Sequence, residues 1–297
     1  MKYLLEDTLS LLDETTLIDT IYSRKDLKIR REVLKETVNS ILLNSDFFYK
    51  KAASNLADWQ RKCLNQNDNI NKKTSIEVFS GDWGEITKIL TKKYGYCFAV
   101  LNMANAHVPG GGYLEGLVAQ EENMFRRTDC HFSINVNTLD ENGYYLKEYT
   151  DLINGENNVV YLDYENPRIC IRGQEFKNRE DLGYRWLFED EIFPFYEMRS
   201  AAIDLRTGVK FSEKECVKRV RAQFNTLKKY KIKHVVLGAH GCGAFLNPPE
   251  KVANVYRKVI KEFTDDFKVI AFAIFNAGYG PDNYSVFRNI LETSKNS

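Results

Sequence analysis

The chain has 297 residues, 43% hydrophobic and 28% charged, a composition ordinary for a globular protein and one that argues against global disorder. Its net charge of +1 excludes a strong basic bias, so direct sequence-specific nucleic-acid binding is not expected. A locally positive cleft for a small anion stays open.

Six scattered cysteines (Cys63, Cys97, Cys130, Cys170, Cys216, Cys242) form no CxxC pair, and four histidines (His107, His131, His234, His240) show no ligand spacing. No metal and no cofactor is therefore expected, and the thiols read as those of a reducing compartment. The N-terminus, Met1-Lys-Tyr-Leu-Leu-Glu-Asp, has acidic residues where a signal peptide is apolar. No apolar run approaches the ~20 residues that span a bilayer. The expectation is a cytoplasmic monomer without membrane contact.

In chain order, residues 29–48 carry apolar side chains at near-helical spacing: Val33, Leu34, Val38, Ile41 and Leu42. A second helical stretch, 49–64, continues through Leu56, Trp59 and Cys63. The polar run 65–73 reads as a surface linker. It divides a helical N-terminal extension, 1–73, from a larger unit, 74–297. In that unit, strands are predicted at 75–79, 97–103, 159–162, 168–172, 234–237 and 269–275. Helices are predicted at 85–94, 212–230, 250–263 and 284–293. Strands alternating with helices of a dozen residues imply an α/β sheet with helices on both faces. Ligands then bind at loops beyond the carboxyl ends of strands.

Two loops stand in that position. The first runs from Asn102 through Asn105, Gly110-Gly111-Gly112 and Gln120-Glu121-Glu122 to Arg127. Consecutive glycines let a ligand approach the backbone and let successive N–H groups form an anion nest. A helix starting near Gly116 would add a favourable field. Glu121 and Glu122 sit within an otherwise apolar surface of Leu117, Val118, Ala119, Met124 and Phe125. A carboxyl group in a poorly hydrated cleft is an acid near neutral pH, and two side by side favour one proton staying on.

The second loop follows the strand at 234–237 and holds Gly238, Gly241, Cys242, Gly243, Ala244 and Phe245 before Pro248-Pro249. Its glycines again suggest N–H groups around an anion, and the prolines open the next helix. The GxxxxGK[ST] pattern is missing, which disfavours nucleoside triphosphate hydrolysis. Two phosphate-suited loops and an acid pair point to a diphosphate ligand with a sugar beside the carboxyls.

The run Leu-Asn-Met-Ala-Asn-Ala-x-x-Pro-Gly-Gly-Gly with Gln-Glu-Glu downstream resembles the poly(ADP-ribose) glycohydrolase family, most closely its microbial type. The later Leu-Gly-Ala-x-Gly-Cys-Gly-Ala-Phe-x-Asn-Pro-Pro matches that family's second ligand loop. The resemblance covers about residues 28–293. It implies a macrodomain-like three-layer α/β/α fold with a mixed sheet and helical additions. It also implies ADP-ribose in the cleft, as free ligand or as poly(ADP-ribose) on modified proteins. Glu122 would be the catalytic acid, and Glu121 would position ribose hydroxyls. Asn105 would contact ribose, and Gln120 belongs to the same motif. Gly110, Gly111 and Gly112 would lie along the diphosphate and distal ribose, and Gly241, Cys242, Gly243, Ala244 and Phe245 would close over the diphosphate. Phe275 and Asp82 are the candidate adenine contacts; a core strand residue and a helix N-cap are their plain structural alternatives. His240 departs from the family pattern, where tryptophan is common. A hydrolase of single ADP-ribose units and a reader that binds without cutting are the alternative functions.

Overall fold

The chain is described here by a computed structural model over residues 24–64, 74–276 and 280–292. Residues 1–23, the expected linker at 65–73, and 277–279 lie outside the described residues, as do 293–297. The first element is a helix, α1 (Arg24–Leu64), broken at Asn44, whose backbone is non-helical (φ −136°, ψ 27°). Its buried residues before the break, including Leu27, Arg30, Leu34, Thr37, Val38 and Ile41, recur every three or four positions. This break lies just before the join expected at 48–49.

The sheet contains β1 (Ser75–Ser80), β2 (Ala99–Met103), β3 (Tyr161–Leu162), β4 (Arg168–Cys170), β5 (Phe193–Ser200), β6 (His234–Leu237) and β7 (Val269–Ile274). Its order is β1-β7-β6-β2-β5-β3, with β4 also paired to β5. The pairs among β1, β7, β6, β2 and β5 are parallel, and β3 and β4 run antiparallel to β5. The connecting helices are α2 (Trp83–Tyr94), α3 (Gln120–Arg127), α4 (Lys147–Asn154), α5 (Glu213–Lys229), α6 (Pro249–Ile260) and α7 (Asn283–Glu292).

Alternate residues of the central strands face two separate cores. Val235, Leu237, Ile270, Phe272 and Ile274 pack with α5, α6 and α7, while Val236, Val269, Ala271 and Ala273 pack with α1, α2 and α3. This is the expected three-layer α/β/α arrangement with a mixed sheet.

Three expectations need correction. Strand β5 is absent from the sequence reading, although it sits between β2 and the antiparallel strands and seven of its eight residues are buried. Its sequence, Phe-Pro-Phe-Tyr-Glu-Met-Arg-Ser, carries charges in a strand interior; Glu197 and Arg199 satisfy each other there, Nε to Oε1 at 2.8 Å. Helix α4 was also missed. Finally, the helix expected near Gly116 begins only at Gln120; Gly116 occupies a turn at φ +83°, with the Leu27 carbonyl oxygen filling the place a Cβ would take.

Helix α1 is tied to the site by charge. Arg30 forks onto Glu175, Nη2 to Oε1 at 2.8 Å and Nε to Oε2 at 3.2 Å, with both residues buried. The Tyr184 hydroxyl donates to Glu175 Oε2 at 2.5 Å and accepts from Arg126 Nε at 3.2 Å. Arg126 Nη2 in turn donates to the Leu117 carbonyl at 2.7 Å, so the network reaches the loop before α3. Removing one partner of a buried pair strands the other charge without water. Arg30→Met is therefore expected to lower unfolding stability by about 3–5 kcal/mol, read by urea denaturation. A loss below about 1 kcal/mol, the scale of surface pairs, would contradict this role.

Candidate active site

The two glutamates occupy the first turn of α3, immediately past the carboxyl end of β2. Gln120 fixes that placement. Its Oε1 accepts from the Met103 N–H at 2.8 Å and its Nε2 donates to the Leu101 carbonyl at 3.0 Å. Strand β6 pairs with β2 only at Ala99 and Val100, so the Gln120 amide supplies the ladder bonds that β6 no longer provides. Both ends of this side chain are thus engaged with the sheet.

Glu121 accepts from the Asn105 N–H at 2.6 Å and from the Gly110 N–H at 3.1 Å. Glu122 Oε1 accepts from the Gly112 N–H at 3.0 Å. The N–H of Gly111 goes to the Val108 carbonyl at 3.0 Å. All three glycine N–H groups are therefore occupied inside the protein. The glycine run does form an anion nest, as its composition suggests, and the anions it cradles are the chain's own carboxylates.

The glycines are also required sterically. Gly111 has φ +56°, and a methyl group there would lie 2.5 Å from Glu122 Oε1. A methyl group on Gly110 would enter the Tyr113 ring, 2.5 Å from Cδ1. Asn105 uses its Oδ1 to accept from the N–H groups of His107 and Val108, at 2.8 and 3.0 Å, closing the turn that aims its own N–H at Glu121.

Glu121 is 3% exposed, while Glu122 is partly open to the cavity. Burial, with Glu122 beside it, raises the Glu121 carboxyl well above the usual range. Burial also raises Glu122, and the Gly112 N–H and Arg126 offset only part of that. Helix N-termini favour ionised carboxylates; here loss of water outweighs that field.

The second loop contrasts with the first. Its N–H groups at Gly241, Gly243, Ala244 and Phe245 donate to no acceptor among the described residues. Beyond its chain neighbours, no described residue lies within 4 Å of a methyl group placed on Gly243. Gly241 takes φ +74° against Ala202 and Asn247. The Cys242 side chain points into the core, and its N–H bonds to the Ala239 carbonyl at 2.9 Å. Buried His240 is held neutral, its pKa lowered to about 4 by burial. Its Nε2 meets the Ser200 carbonyl at 3.1 Å and its Nδ1 meets Gln223 at 3.4 Å, making it a bracket between this loop and β5.

One cavity of about 340 Å³ gathers these parts at the carboxyl ends of β2, β6 and β7, the position open α/β sheets use for ligands. Asn105, Gly112, Gln120, Glu121 and Glu122 line it from the first loop, and Gly241, Gly243, Ala244 and Phe245 from the second. Gly110, Gly111 and Cys242 stand behind this wall. Asp82 and Phe275 line it as well. Asp82 caps α2, its Oδ1 accepting from the N–H groups of Gly84 and Glu85, and it pairs with buried Arg127 at 2.7 Å. Phe275 is 49% exposed just beyond β7 and is no core strand residue. Sequence reasoning missed Trp83, Asn123, Glu175, Lys177 and Arg206, which also line the cavity; they are spread over four separate segments with no shared motif.

The model of the microbial-type PARG catalytic domain matches residues 14–163, half of the chain, including the first loop and both glutamates. The chain belongs to the microbial-type poly(ADP-ribose) glycohydrolase (PARG) family. It is accordingly an enzyme that hydrolyses poly(ADP-ribose). Among solved structures, the Thermomonospora curvata PARG is similar at 20% identity and TM-score 0.63, covering 88% of this chain and 98% of that one. The same protein bound to the inhibitor ADP-HPD matches at 20% identity and TM-score 0.62, covering 88% of this chain and 98% of that one. The Deinococcus radiodurans PARG in complex with ADP-ribose matches at 20% identity and TM-score 0.55, covering 82% of this chain and 92% of that one. No curated protein matches the chain.

Two outcomes follow from the carboxylate nest. Gly111→Ala forces a strained φ and pushes Glu122 aside. A misplacement on the order of 1 Å in an active site costs about 10²-fold, so if Glu122 takes part in the reaction kcat is expected to fall to that extent; kcat within twofold of the parent would contradict the packing. Both carboxyl pKa values are raised by folding, so protonation stabilises the fold in acid. That stabilisation is lost as pH rises through the raised folded values. Glu122→Gln keeps an oxygen for the Gly112 N–H and removes the buried charge. Its melting temperature is expected to exceed the parent's by about 2 °C or more above neutral pH and to converge with it in acid. A lower melting temperature above neutral pH would contradict the assignment.

Proposed function

We propose that the family's reaction is carried out here by Glu122 as general acid and then general base, on an ADP-ribose unit lying across both loops. The observation that carries this reading is the asymmetry of Glu122. Its Oε1 is fixed by the Gly112 N–H, its Oε2 takes no hydrogen bond from any other described residue, and its residual exposure opens on the cavity. The family relatives crystallised with ADP-HPD and ADP-ribose support the ligand class.

In this reading the diphosphate rests on the unclaimed N–H groups of Gly241, Gly243, Ala244 and Phe245. Adenine lies toward Asp82 and Phe275. Asn105 and Glu121 orient the distal ribose, with Gly110 acting from behind by donating to Glu121 and Gly111 by leaving room for Glu122. Protonated Glu122 donates its proton to the oxygen leaving the anomeric carbon, and that C–O bond breaks with its electron pair on the oxygen. Positive charge develops on the ribose, as in other glycoside hydrolyses. Ionised Glu122 then takes a proton from water, whose oxygen bonds to the anomeric carbon. ADP-ribose is released and Glu122 is protonated again.

Helix α1, the described part of the extension expected at 1–73, belongs to this proposal as a buttress, supported by the Arg30–Glu175 pair and by the Leu27 carbonyl against Gly116. A cytoplasmic setting is supported by six free thiols, and the working unit is taken as the monomer. No helix of the described residues is long and apolar enough to cross a membrane.

General acid–base help is worth roughly 10²–10⁴-fold. Glu122→Gln is therefore expected to lose that much turnover on poly(ADP-ribose) while binding ADP-ribose within a few-fold of the parent, read by product release and calorimetry. Parallel loss of binding and turnover, or retained turnover, would overturn the role. Release of ADP-ribose only from singly modified proteins would replace the polymer as substrate with the mono-modified class.

A further inference from the structure

The cavity's buried ion pairs leave few cations for the diphosphate that the proposed function places there. Four carboxylic acids line it, Asp82, Glu121, Glu122 and Glu175, and the two buried arginines nearest them, Arg127 and Arg30, are already committed to Asp82 and Glu175, which leaves Lys177 and Arg206 as the cations of the lining that can meet a ligand. A diphosphate brings two more negative charges. Backbone N–H groups supply partial charge only, so a full cation within reach of the second loop would contribute strongly.

Arg206 is built into that position. It lies in a 3-10 turn, Leu205–Thr207, capped by the Asp204 carboxylate, which accepts from the Arg206 N–H at 3.1 Å. The turn is joined to the second loop as one unit. The Leu205 N–H donates to the Phe245 carbonyl at 3.2 Å. Asn247 Nδ2 donates to the Ile203 carbonyl at 2.7 Å and to the Gly241 carbonyl at 3.1 Å. The Arg206 guanidinium lies over the Phe245 ring, 4.8 Å from its centre, beside the unclaimed N–H groups. Its planar fork is held by Asp204, Nε to Oδ1 at 2.9 Å and Nη2 to Oδ2 at 2.7 Å. Half of the Arg206 side chain is exposed, and exposed ion pairs of this kind are worth little, so the fork can change partner at small cost.

We infer that Arg206 is a diphosphate-binding residue whose fork exchanges Asp204 for the ligand's phosphate oxygens on binding. This rests on the reading that places the diphosphate at residues 241–245. Guanidinium matches phosphate geometry bidentately, as it matches carboxylate. Asp204 is then a competitor for the same fork and sets the affinity from the opposite direction.

The test compares ADP-ribose with adenosine, which lacks the diphosphate, by calorimetry on the full chain. A charge-assisted hydrogen bond is worth about 1.5–3 kcal/mol, so Arg206→Met is expected to weaken ADP-ribose by roughly 10–100-fold with adenosine unchanged. The salt dependence of ADP-ribose binding should become shallower. Arg206→Lys, which keeps the charge and loses the fork, should fall between. Asp204→Asn should tighten ADP-ribose without changing adenosine. Unchanged ADP-ribose affinity in Arg206→Met, equal loss of both ligands, or weaker ADP-ribose binding in Asp204→Asn would overturn the inference. Failure of the parent chain to bind ADP-ribose would instead overturn the proposed function on which it rests.

Discussion

The site depends on two carboxyl groups being kept out of water, and that is achieved by backbone N–H groups. Burying a carboxyl without partners is costly. Asn105, Gly110 and Gly112 each give an N–H to Glu121 or Glu122, so the groups are hydrogen-bonded while their surroundings still favour the protonated form. The three glycines, the turn closed by Asn105 and the amide of Gln120 all serve this placement. Replacing any one of them with a bulkier or less polar residue would move the carboxyls or leave them unsatisfied.

The contrast between the two loops follows. Both are rich in glycine, and from composition both look like phosphate cradles. In the first loop the N–H donors of Gly110 and Gly112 are already engaged by carboxylates, and that of Gly111 by the Val108 carbonyl. In the second, four donors are unclaimed at the mouth of the same cavity. The proposed roles, proton transfer and anion binding, thus fall to loops that follow different strands. The sheet sets their separation, because β2 and β6 are adjacent and parallel. The buttress from α1, through Arg30, Glu175, Tyr184 and Arg126, reaches the first loop from behind.

Much of this was legible in the sequence. Apolar runs such as His234–Leu237 and Val269–Ile274 announced buried parallel strands, and the position of both glycine loops after such strands announced the cleft. The acid pair stood out because its neighbours are apolar. Other parts were hidden by interactions between distant residues. Strand β5 escaped because Glu197 and Arg199 cancel each other's charge only once folded. The target of the Gly110–Gly112 N–H groups could not be read locally, since it depends on a helix that starts eight residues later. Arg206 escaped because its link to Phe245 spans separate loops.

The division of donors between the two loops is tested most directly by a crystal structure of the Glu122→Gln chain with ADP-ribose. The predicted result has diphosphate oxygens accepting from N–H groups of residues 241–245. The N–H groups of Gly110 and Gly112 should stay on the side chains at 121 and 122, with the distal ribose beside position 122. Diphosphate bound to the Gly110–Gly112 N–H groups, with the second loop unused, would contradict it.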